Sequence, residues 1–195
     1  MNSGVRILVV STSQGDNSRS ERLAVVCRDV LALAGADVEF LPLKEYDFPP
    51  FNELTVTESE AYKNIHPKVA SADGLVLASP VYNWGLCGGL KQFIEHLGST
   101  PPDGSLKGAL FDKVVTFVCA AGLPHSYMAM GPSALSLMFD FKCIVNPYQV
   151  YMDSRCWESD CLTEQHAQRL SRAMEVMLEL TTLLADRSYR SDWCV

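Results

Sequence analysis

The residues best equipped for chemistry sit in the middle of GLVLASPVYNWGLCGGLKQFIEHL, the stretch from Gly74 to Leu97. Tyr82 and Trp84 offer ring faces, Asn83 offers an amide, and Gly85, Gly88 and Gly89 let backbone come close to a bound molecule. That set suits a flat aromatic ligand, although any one of these rings could equally be a packing residue under a loop. A second stretch, STSQGDNSRSERL from Ser11, runs into a helix. A helix start attracts anions through its free N–H groups and dipole, and Ser11, Thr12, Ser13, Ser18 and Ser20 add hydroxyl donors, enough to hold one phosphate without a metal. The same serines also suit a simple N-cap, and the loop has neither a P-loop GK[ST] nor a GxGxxG signature.

These loops must be placed by regular elements, and the hydrophobic pattern supplies them. Residues 5–10 (VRILVV), 38–41, 75–78 and 113–119 read as buried strands, and 143–145 as a fifth, continued by 150–152. Ser79-Pro80 is expected to end the third strand, because proline has no N–H for a central ladder. Helices are expected over 21–33, 58–70, 127–139 and 164–184, with another carrying Leu86, Leu90, Phe93, Ile94 and Leu97 on one face. Helix 58–70 should lie outside with a solvated polar face, and Gly131-Pro132 should delay or kink the start of 127–139. Three prolines mark 43–54 as a surface loop, 99–107 is another loop, and residues beyond 186 form a tail.

Strict alternation of strand and helix implies right-handed crossovers and a parallel sheet covered on both faces. Five strands fit the order 2-1-3-4-5, in which ligands bind where the strand order reverses. The serine-rich loop follows strand one, the Pro-Val-Tyr-Asn-Trp turn follows strand three, and a small-residue turn, 120–126, follows strand four. All three are expected at one edge.

At 195 residues, 48% hydrophobic and 20% charged, the chain reads as a single soluble domain. A net charge of −7 without any basic block excludes a nucleic-acid binder. No apolar run reaches a membrane span, and MNSGVRILVV passes into a strand without a signal core, which places the chain in the cytosol. Seven cysteines, with no CxxC pair and no zinc spacing, read as free thiols of a reducing compartment, Cys87 being the one inside the candidate turn. No metal ligand set is present.

The stretch SPVYNWGLCGGLKQFIEHL resembles the Ser-Pro-x-Tyr-Asn…Gly-x-Leu-Lys-x-x-Ile-Asp segment of the NAD(P)H-dependent FMN reductase family, flavodoxin-like flavoproteins, and the element order is similar from about residue 5 to 180. The resemblance implies an FMN phosphate loop at Ser13, Ser18 and Ser20, with Arg19 replacing an arginine that the family often carries where this chain has Gly15. It implies an isoalloxazine ring bordered by Pro80, Val81, Tyr82, Asn83 and Trp84, its other edge closed by Ala121, Gly122 and His125. The implied activity is hydride transfer from NADPH or NADH through FMN to free flavin, a quinone, an azo compound or a metal-ion acceptor, in a homodimer or homotetramer. Leu86, Leu90, Met128, Met130 and Phe139 are candidate interface residues or core. The loop after strand four has fewer glycines than the family's, which leaves an FMN-binding electron carrier or redox-responsive interaction protein without NAD(P)H oxidation as the alternative. A cofactor-free assembly partner of the same fold is the third reading.

Overall fold

A computed structural model describes residues 4–100, 104 and 108–191. The central sheet is built of β1 (Arg6–Ser11), β2 (Asp37–Pro42), β3 (Gly74–Tyr82), β5 (Val114–Ala120) and a fifth position split into β6 (Ile144–Val145) and β7 (Val150–Met152). Its order is β2-β1-β3-β5-β6, all parallel, with β7 also pairing β5. This is the expected 2-1-3-4-5 arrangement. Helices α1 (Arg19–Leu33), α2 (Glu60–Ser71), α3 (Gly88–Gly98), α4 (Gly131–Asp140) and α5 (Glu164–Ala185) cover the sheet.

Alternate residues of the strands feed two cores. Leu8, Val10, Leu75, Leu77, Val115 and Phe117 pack with α2, α3 and α4, whereas Ile7, Val9, Val76, Val114 and Val118 pack with α1 and α5. Burial on both faces explains why these strands read as continuous apolar runs.

Four expectations are corrected. Strand β3 does not stop at Ser79-Pro80: Pro80 stays paired with Ala120 of β5. The ladder to β1 has already ended at Ser11–Ala78, and on that vacated flank Pro80 O accepts from Cys87 N at 3.2 Å. The missing proline N–H therefore faces no strand that needs it. Leu86 lies outside α3, in β4 (Gly85–Leu86), which folds back antiparallel on β3. Within 43–54, Leu43 opens a 3-10 turn and is fully buried in the core, so that part is not a surface loop. Helix α2 begins at Glu60, after a 3-10 turn over Val56–Glu58, and buries Ala61, Tyr62, Ile65 and Val69.

Pro132 sits in the first turn of α4, so Gly131-Pro132 delays that helix as expected. A second hairpin, β8 (Trp157–Glu158) and β9 (Cys161–Leu162), was not legible in the sequence. Residues 187–191 of the expected tail are anchored, with Ser191 N donating to Asp112 Oδ2 at 3.0 Å. Residues 192–195 and most of loop 99–107 lie outside the described residues.

Candidate functional site

The three loops meet. Ser13, Ser18, Arg19 and Ser20 from the first, Pro80 and Tyr82 from the second, and Ala121 and Gly122 from the third line one cleft of about 310 Å³ at the carboxyl edge of the sheet. A larger cavity of about 440 Å³ opens at the opposite edge, beside Asp112, Lys113 and Arg187, and holds none of these residues.

The first loop spends Thr12 on Ala78 O, at 3.1 Å from Oγ1, and leaves the start of α1 without a side-chain cap. Ser18 is the N-cap of α1, yet its side chain makes no capping bond; its Oγ instead lies 2.8 Å from Ser20 Oγ. The first-turn amides of α1, beside the cleft that Ser18, Arg19 and Ser20 line, therefore lack a capping acceptor from Ser18, the condition under which a helix start holds an anion. Ser11 is fully buried, and its Oγ has no hydrogen-bond partner among the described residues. Such an orphaned hydroxyl costs stability unless something outside the chain satisfies it. Asp16, a carboxylate of this loop that also lines the cleft, lies 3.8 Å from Lys44, and Lys44 bonds Glu21 at 3.0 Å.

The second loop is a two-residue hairpin turn. Asn83 and Trp84 both have left-handed backbone, φ 51° and 64°, between the paired residues Tyr82 and Gly85. Two successive positive φ values define the turn whose twist matches paired strands. Beneath it, the Cys87 thiol donates to Thr12 O at 3.4 Å and accepts from Ser79 Oγ at 3.4 Å. Cys87 is thus buried in a polar bracket that joins the first and second loops. Burial raises the neighbouring Cys119 thiol to about 12, Cys87 adding to the rise, so Cys119 remains protonated at neutral pH.

The third loop is pinned by the split fifth strand. Ala121 N donates to Met152 O at 2.9 Å, and Tyr151 Oη donates to Leu123 O. The Ala121 amide is therefore spent inside the protein, which leaves Gly122 as the open edge. Asp153, buried just after β7, is held below the usual carboxylate range by hydrogen bonds from Arg155, whose Nη2 lies 2.7 Å from Oδ2.

Of the expected site residues, Ser13, Ser18, Arg19, Ser20, Pro80, Tyr82, Ala121 and Gly122 share the cleft. Ser11 lies buried at the end of β1, Val81 packs against the core, and Asn83, Trp84 and His125 stand outside the cleft. Trp84 and His125 still meet across the second and third loops, ring centroids 5.8 Å apart and tilted by 36°. Arg19 lies over the Trp157 ring at 5.4 Å, so the β8–β9 hairpin braces the first loop, and Arg22 reinforces it through Asp160. Among the expected interface residues, Leu90 and Met130 are core, whereas Met128 and Phe139 are exposed.

Against known proteins, the sequence profile described as NADPH-dependent FMN reductase matches residues 5–158. The chain belongs to that family. The FMN reductase (NADPH) of Escherichia coli K12 is 31% identical over 127 residues, 65% of this chain and 61% of the relative, so the chain spans about three fifths of that relative's length. Among solved structures, RosB with a bound formylriboflavin phosphate intermediate is similar at 14% identity and a TM-score of 0.78, covering 97% of this chain and 83% of that one. The NAD(P)H:acceptor oxidoreductase FerB of Paracoccus denitrificans aligns at 17% identity and a TM-score of 0.73, covering 91% and 97%. These two structures share the flavodoxin-like α/β fold seen here. Among the described residues no His, Cys, Asp or Glu cluster could hold a metal, and no helix is long and apolar enough to cross a membrane.

Proposed function

We propose that this member of the FMN reductase family binds FMN in the three-loop cleft, oxidises NADPH or NADH, and reduces a small-molecule acceptor: free flavin, a quinone, an azo compound or a metal ion. The observation that carries the reading is the meeting of three loops, distant in sequence, on one cleft beside a helix start whose N-cap serine makes no capping bond. Bound FMN would supply the redox chemistry, accepting hydride from the nicotinamide and passing electrons to the acceptor.

The chain's part is positioning. Ser13, Ser18 and Ser20, with the α1 amides and Arg19, would hold the phosphate. Pro80 and Tyr82 would form one wall for the ring, and Ala121 and Gly122 the other. No side chain has to act as a nucleophile. We further assign the chain as one cytoplasmic domain, assembled as a homodimer or homotetramer through exposed apolar residues such as Met128 and Phe139.

Purification with added FMN tests the reading. The expected protein is yellow, releases FMN on denaturation, and oxidises NADPH in the presence of free flavin or a quinone. A protein that stays colourless after incubation with FMN ends it. Bound FMN that dithionite reduces but neither NADPH nor NADH does would instead select an electron carrier.

A further inference from the structure

The cavity of about 440 Å³ at the amino edge of the sheet takes no part in the flavin reading, and its charge differs from that of the chain around it. Three segments distant in sequence close it: the end of α2 leading into β3, the entry to β5, and the residues that follow α5. They bring the cations Lys113, Arg187 and Arg190 together with the carboxylates Asp73 and Asp112, a local excess of positive charge in a molecule of net charge −7.

Among the described residues none of these three cations forms an ion pair with a carboxylate. Their donors go to backbone carbonyls instead. Lys113 Nζ donates to Ala70 O at 2.9 Å and to Ala72 O, and Arg187 donates to Leu184 O at 2.7 Å and to Asp112 O. Arg190 donates to Arg187 O and Tyr189 O at 2.7 and 2.9 Å. Carbonyls orient a cation without cancelling its charge, and a buried charge ordinarily has a counter-charge. Lys113 is only 9% exposed, and burial lowers it to about 8 against the pull of Asp73.

A second need is met by none of the neighbours. Asp112 is buried and holds left-handed backbone, φ 62°. Its Oδ2 accepts from Ser191 N at 3.0 Å, whereas Oδ1 is buried with no hydrogen-bond partner. Arg187, which bonds the Asp112 carbonyl, likewise has a buried Nε without a partner. One unmet acceptor and one unmet donor on two touching residues cost stability until a ligand supplies both complements.

We infer that this cavity is a second ligand site, separate from the three-loop cleft, and that it takes a small hydroxylated phosphate monoester, a polyol or sugar phosphate by class. Lys113, Arg187 and Arg190 hold the phosphate, and Asp112 Oδ1 accepts from a hydroxyl of the same molecule. A phosphate dianion with three acceptor oxygens matches an ammonium and two guanidiniums, whereas one carboxylate would leave most of their charge unbalanced. The inference does not rest on the flavin reading, because the two sites lie at opposite edges of the sheet.

Isothermal titration calorimetry with glycerol 3-phosphate, in saturating FMN so that the first cleft is filled, tests the site. The wild type is expected to bind it about tenfold more tightly than methyl phosphate, which has the dianion but no hydroxyl. Arg187→Gln should weaken glycerol 3-phosphate about tenfold or more, and so should Arg190→Glu, an exposed position where the fold tolerates the change. Circular dichroism checks both variants. Asp112→Asn, a residue that suits the same backbone, should bring the two ligands within about twofold of each other. Ser20→Ala, in the first cleft, should leave glycerol 3-phosphate within about twofold of wild type, and this control separates the sites whether or not FMN binds. Absence of binding to the wild type, binding that survives Arg190→Glu, or loss with Ser20→Ala overturns the inference.

Discussion

At the scale of single residues, the cost of the turn at Trp84 is measurable. A non-glycine residue in left-handed backbone costs of order 1–3 kcal/mol, and little of that is returned by a ring 65% exposed. Trp84→Gly should therefore raise the melting temperature by about 2–12 °C; a lower melting temperature would show that the His125 contact outweighs the strain. Ser20 is fully buried beside Ser18 at the helix start. A hydrogen bond to a charged group contributes about 1.5–3 kcal/mol, so Ser20→Ala should weaken FMN binding about tenfold or more in a fluorescence titration. A change below about twofold would remove Ser20 from the phosphate site. The residue types of the cleft were legible in the sequence because Ser and Tyr carry their chemistry in the side chain and Gly owes its use to having none. Which residues reach the cleft was not, since side chains alternate across a strand and Ser11 and Val81 are taken into the packed interior.

At the scale of elements, the sequence revealed long periodic segments and hid short ones. Strands β1, β3 and β5 and helix α5 stood out through sustained apolar patterns, whereas the β3–β4 turn has Asn-Trp in place of the Asn-Gly that marks such hairpins. The β8–β9 hairpin pairs only two residues from each strand, too few for an alternation to show. Its position depends on Arg19 over Trp157 and Arg22 with Asp160, contacts that span most of the chain. Gly108 exposes another such dependence. A Cβ built there would lie 2.3 Å from Gly98 O, and Ala109 N donates to Leu97 O at 2.8 Å, so the chain entering β5 presses directly on the end of α3. Gly108→Ala should cost about 2–4 kcal/mol in urea unfolding, because backbone meets backbone and neither side can rotate away. A loss below about 0.5 kcal/mol would mean that the α3 end yields.

For the whole molecule, buried titratable groups set how stability depends on pH. Burial lowers Lys113 from 10.5 to about 8, against the pull of Asp73 and Asp112, while its Nζ donates to Ala70 O at 2.9 Å. Burial raises Cys119 and Cys143 from 9.0 to about 12 and pushes Cys27 still higher. As pH rises from 8 towards 9, the unfolded chain keeps the Lys113 proton that the folded chain has lost, so stability increases. Beyond 9 the unfolded thiols ionise while the folded ones keep their protons, and three thiols outweigh one lysine, so stability falls. Urea midpoints from pH 7 to 11 should peak at about pH 9; a midpoint still climbing at pH 10 would contradict this account of the buried groups.

The two-core arrangement also has a consequence for the order of synthesis. Helix α5 (Glu164–Ala185) supplies Leu170, Ala173, Met174 and Met177 to the face that holds Ile7, Val9 and Val76. A ribosome releases the first strand well over a hundred residues before this helix. One side of the growing sheet therefore waits, greasy and only part-roofed by α1, until residues 164–185 have emerged, and for that interval the newborn chain depends on a chaperone's hold or on its own speed of closure.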